Sequence, residues 1–78
     1  MGISKVDSCK SRLISAESRL KSAKANMATA KANGNYKNST KNQSFGGKVG
    51  NLYDYNVWAA QQEVKKAKAE LAEAKRAK

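Results

Sequence analysis

The sequence predicts an all-α fold: an antiparallel two-helix hairpin, a coiled coil with alternating small and large layers that dimerises into a helical bundle. Three observations predict it. Proline is absent. The strong breakers collect between Ala32 and Gly50. On either side of them, apolar residues step by three and four, the period of a helix that buries one stripe.

The first helix spans about residues 4–32 of a single 1–78 domain. It opens on Ser4-Lys5-Val6-Asp7, a capping box with Asp in the Glu position. It stops at Asn33-Gly34, where glycine takes the left-handed conformation that closes a helix. Between these signals Val6, Cys9, Leu13, Ala16, Leu20, Ala23, Met27 and Ala30 form one unbroken seam.

Residues 33–50 read as a loop, with Gly34, Gly46, Gly47 and Gly50 interleaved with Asn33, Asn35, Asn38 and Asn42. Connections between packed helices usually take about 2–8 residues, so this one is long. The second helix is expected over about 51–77, starting near Asn51 with Asp54 three residues on. Its seam is Tyr53, Val57, Ala60, Val64, Ala67, Leu71 and Ala74.

Folding the two seams together antiparallel sets small against small and large against large. Ala23 meets Ala60, Ala16 meets Ala67 and Cys9 meets Ala74, while Met27 meets Val57, Leu20 meets Val64 and Leu13 meets Leu71. Flanking charges follow the same register: Arg19 near Glu63, Arg12 near Glu70, Glu17 near Lys68 and Lys31 near Asp54. Lys10 against Lys75 is the like-charge exception. Few large side chains fill this seam, so a second copy is expected to complete the core, as small scaffolds commonly need.

Sixteen Lys and Arg against six Asp and Glu give a net charge of +10, which draws in polyanions. No stretch approaches the ~18 apolar residues of a membrane span, and no apolar leader follows the start. A soluble protein of the bacterial cytoplasm, with no membrane partner, is the expectation. Met1-Gly2 opens like a myristoylation site, but Val6 stands where Ser or Thr is required. Asn38-Ser39-Thr40 and Asn42-Gln43-Ser44 match glycosylation sequons, which go unused without secretion.

Catalysis is not expected. There is no histidine and one cysteine, Cys9, so the usual general base, zinc site and internal disulfide are all missing. Gly46-Gly47-Lys48-Val49-Gly50 lacks the phosphate-loop pattern. No cofactor or metal is implied.

Binding has three candidate locations. The loop end holds every aromatic residue, namely Tyr36, Phe45, Tyr53, Tyr55 and Trp58, together with Lys37, Lys41 and Lys48. For most of these rings the expectation is a small core, with Tyr36 and Phe45 folding the loop onto Trp58 and Tyr53; the alternative is that they meet a partner. A stripe of small residues, Ser4, Ser8, Ser11, Ser15, Ser18, Ser22, Ala25 and Thr29, runs along the back of helix 1. The opposite end gathers Lys5, Lys10, Lys75, Arg76 and Lys78.

The architecture of the helices resembles the plasmid RNA-binding hairpins of the Rop type, and that resemblance implies a dimer that binds nucleic acid. From the residues themselves, the leading expectation is a non-enzymatic binding protein, an inhibitor or adaptor of the phage or bacterial accessory kind. Its expected partners are an acidic protein surface or a nucleoprotein complex. A Rop-like module that binds nucleic acid directly is the alternative.

Overall fold

The computed structural model describes residues 4–76. Met1-Gly2 and Lys78, considered above, lie outside that range. Two long helices dominate: α1, Lys5–Asn33, and α3, Leu52–Arg76. Between them come a single helical turn, α2 (Asn35–Asn38), and two strands, β1 (Gln43–Phe45) and β2 (Lys48–Gly50). The helices pack against each other in a slab of 50 × 25 × 15 Å.

The helix ends form as their residues dictate. Ser4 Oγ accepts the Asp7 backbone N–H at 3.1 Å, satisfying one of the unpaired donors of the first turn. Gly34 closes α1 at φ 85°, a left-handed conformation that a side chain resists. The described end of α3 carries Lys75 and Arg76, favourable near the negative pole of a helix.

The buried apolar residues are Cys9, Ala16 and Ala30 of α1 and Ala60, Val64, Ala67 and Ala74 of α3. Every one of them is a seam position. Ala16, Val64 and Ala67 form the centre of the core, with Leu13 and Leu20 packed against it. Cys9 is enclosed opposite α3, its Sγ 3.8 Å from the Glu70 carbonyl oxygen.

Arg12 pairs with Glu70 at 2.8 Å and Arg19 with Glu63 at 3.0 Å, the partners expected from the register. All four side chains keep a third or more of their surface in water, so each pair marks alignment more than it adds stability.

The other two expected pairs require correction. Asp54 does not pair with Lys31, because its oxygens accept from the Tyr36 hydroxyl and the Asn51 backbone N–H. Lys31 Nζ instead sits 4.9 Å from the centre of the Tyr36 ring. Glu17 and Lys68 line one groove, yet the ion pairs among the described residues are the two arginine pairs.

The loop also requires correction, since residues 35–50 carry structure of their own. β1 and β2 form an antiparallel hairpin with Phe45 opposite Lys48 and Gln43 opposite Gly50. Gly46 and Gly47 make the two-residue turn at φ 52° and 78°. Positive φ at both positions matches the twist of the strands, and glycine reaches it without strain.

Candidate binding surfaces

The loop end is built around Asn51, the most enclosed side chain among the described residues. Its Oδ1 accepts the Asp54 N–H at 2.9 Å, while Asp54 Oδ2 accepts the Asn51 N–H at 3.1 Å. This reciprocal cap starts α3. Asn51 Nδ2 also donates to the Tyr36 carbonyl at 3.3 Å, tying the α2 turn to the helix start. Gly50 leaves room for the cap: a Cβ there would lie 2.7 Å from Asp54 Oδ2.

Tyr36 is held from its other end as well. Its hydroxyl donates to Asp54 Oδ1 at 2.6 Å, and its ring lies 6.3 Å from that of Tyr53. A phenol that donates to a carboxylate, in a partly desolvated place and close to its negative charge, gives up its proton less readily. Its pKa is accordingly raised above the ordinary tyrosine value.

The remaining rings form a second group. Phe45, carried by β1, lies 5.7 Å from Trp58 and 6.1 Å from Tyr55, and Tyr55 lies 6.0 Å from Trp58. Tyr55 and Trp58 are three residues apart on the outer side of α3, and the hairpin folds down over them. Gly46 allows the close approach, since a Cβ on it would stand 3.0 Å from Trp58 Nε1. All three rings stay half-buried, while Val49 and Leu52 nearby are exposed.

The expected site residues therefore divide. Phe45, Tyr55 and Trp58 come together, with Lys48 opposite Phe45 on the hairpin. Tyr36 joins the cap network instead, and Lys37 and Lys41 stand exposed on the connection. Ser11, Ser15, Ser18 and Ser22 do not lie purely on the back of α1. They form one wall of a shallow groove between the helices that Arg12, Arg19 and Glu63 also line. Ser8 is half-buried.

That groove runs along the side of the slab where the arginines are neutralised. The other side differs. There Lys21, Lys24 and Lys68 line the groove between the helices, joined by Glu17. Lys10, two heptads before Lys24, and Lys31, one heptad after it, repeat its position along α1, and Lys75 repeats Lys68. Lys65, three residues before Lys68, completes the set, and all seven lysines are exposed. This surface was absent from the expected sites, although the seam assigns these lysines to one flank. Trp58, two turns before Lys65, places the ring group at the end of the same side.

Among the described residues no group of three His, Cys, Asp or Glu is placed to hold a metal, and no helix is long and apolar enough to cross a membrane. Comparison with protein-family models, curated proteins and solved structures finds no match.

Proposed function

We infer that this chain is a non-enzymatic binding protein, an inhibitor or adaptor that engages a macromolecular partner through the loop end of its hairpin. One observation carries the reading: a β-hairpin holds Phe45 against Tyr55 and Trp58, and all three rings remain half open to solvent. Two packed helices need no such connection. Rings fixed in advance lose little entropy on binding, and aromatic side chains dominate the energetics of most interfaces. Lys48 beside Phe45, with Lys37 and Lys41 exposed elsewhere on the connection, favours a partner with an acidic rim.

The helices are read as a coiled coil of alternating thin and thick layers whose second copy completes a small bundle in the bacterial cytoplasm. The alternative of a Rop-like module that binds nucleic acid gains support from the grouping of exposed lysines on one side.

The test replaces residues 35–49 with a short Gly/Ser turn and compares it with the full chain in pull-downs from a bacterial lysate. The expected result is a helical protein that has lost a partner retained by the full chain. Full retention would move the binding site from the loop end to the helices.

A further inference from the structure

We propose that the lysine side of the slab is a track for the phosphate backbone of nucleic acid. This inference rests on the nucleic-acid alternative above and names its surface, which is centred on the helices and not on the ring group.

The sorting of charge comes first. Arg12 and Arg19 are matched by Glu70 and Glu63 on one side, so that side is close to neutral. The other side carries the central lysines Lys21, Lys24, Lys65 and Lys68, continued by Lys10 and Lys75 towards one end and Lys31 towards the other. Glu17 lies among them, and Asp7 sits at the far end. Seven lysines against Glu17 and Asp7 leave +5 on this side, half of the chain's +10.

Shape comes second. From Lys10 to Lys31 a helix rises about 32 Å, close to one turn of a duplex. A straight, predominantly basic row that long, interrupted by Glu17, suits a straight polymer of the opposite sign. The acidic patches of proteins mix charges and seldom extend so far. Lysine ammonium groups act as mobile point charges that grip phosphate without reading bases, so sequence-tolerant binding is expected.

Neighbouring groups come third. The row ends at Trp58 and Phe45, where bases of a single strand find rings to stack on. An anionic membrane is the poorer fit. Insertion needs an apolar face, and Ile14 is the large apolar residue exposed on this flank of α1.

The experiment measures fluorescence anisotropy of a labelled oligonucleotide, single-stranded and as duplex, with the full-length chain at about 50 and about 200 mM salt. Two charge-matched variants are compared. One carries Lys21→Gln, Lys24→Gln, Lys65→Gln and Lys68→Gln. The other carries Lys5→Gln, Arg19→Gln, Lys66→Gln and Arg76→Gln. Each removes four exposed cations from the same +10, and circular dichroism checks that each stays helical.

The expected result is binding of one or both oligonucleotide forms, weakened at least tenfold in the first variant and less than threefold in the second. The salt slope should fall by about 3–4 in the first variant, at about 0.7–0.9 for each of four lost phosphate contacts. Equal weakening in both variants would show diffuse attraction and overturn the track. Absence of binding to both forms would overturn it too, as would binding to phosphatidylserine vesicles or polyglutamate without binding to nucleic acid. Loss of the loop-end partner on deleting the hairpin tests the other surface and leaves this result unaffected.

Discussion

Tyr36 and Asp54, eighteen residues apart in sequence, are joined by a 2.6 Å hydrogen bond from phenol to carboxylate. The bond links the α2 turn to the first turn of α3, and it favours the protonated phenol in the folded protein. A pKa raised on folding contributes stability that is full below the unfolded value, about 10, and is lost as pH rises through the folded value. Tyr36→Phe should therefore lower the melting temperature near neutral pH, with a cost of about 1 kcal/mol. The gap between the two proteins should narrow above about pH 10. Thermal melts from neutral to alkaline pH measure it, and a gap that stays constant would show the phenol bond to be energetically silent.

Asn51 holds the same junction from within. Asn51→Ala removes the acceptor of the Asp54 N–H and the donor to the Tyr36 carbonyl, with an expected loss of about 2 kcal/mol. In a chain of this size that is a fall of roughly 10 °C in melting temperature. Gly50→Ala should be nearly as damaging, because its Cβ would push Asp54 Oδ2 out of the cap. A Gly50→Ala protein as stable as the parent would mean that the cap adjusts freely.

The helices were legible because their information is local and periodic. A seam in steps of three and four identifies its own buried face, and Arg12 and Arg19 find Glu70 and Glu63 once that face is set. The connection was less legible because its information is tertiary. Gly46-Gly47 is a good hairpin turn, but β1 and β2 are three residues each and carry little strand signal. What holds them is Phe45 landing on Trp58, the contact expected of a small aromatic core, although no local pattern announces the strands that deliver it. Asp54 shows the limit of charge matching. It was near enough to Lys31 to suggest a pair, yet its oxygens were claimed by a cap and a phenol. The lysine side is implicit in the flanking positions of the seam, but it emerges only when the flanks of both helices are taken together.

Register is open to direct measurement. With Cys9→Ala as background, cysteines placed at Ala16 and Ala67 should crosslink readily, both being buried in one cluster. Cysteines at Ala16 and Ala60 are displaced by a heptad, about 10 Å, and should not. Size is a second probe of the same face. Ala67→Leu should destabilise by about 1–3 kcal/mol through overpacking, whereas Ser15→Leu lies on an exposed position and should change little. Comparable melting shifts for the two would place the core on a different face.

Trp58 is the single tryptophan, so its emission reports the seating of the hairpin without any added label. In the folded protein Phe45 lies against it, and Gly46 is so close that a Cβ would stand 3.0 Å from Nε1. Phe45→Ala keeps the chain length and the Gly-Gly turn but removes the ring that covers the indole. Its emission should shift to longer wavelength, as water replaces Phe45, while helical circular dichroism stays near that of the parent. Gly46→Ala should give a smaller shift in the same direction, since the added methyl lifts the turn and meets a left-handed backbone at φ 52°. Gly47→Ala makes the comparison informative. It shares the strained φ, at 78°, but a Cβ there meets nothing within 4 Å. Backbone strain alone should then loosen the turn in both variants, and the difference between them isolates contact with Trp58. Identical emission in all four proteins would mean that the hairpin does not rest on the indole in solution, and the ring group would lose its standing as a prearranged surface.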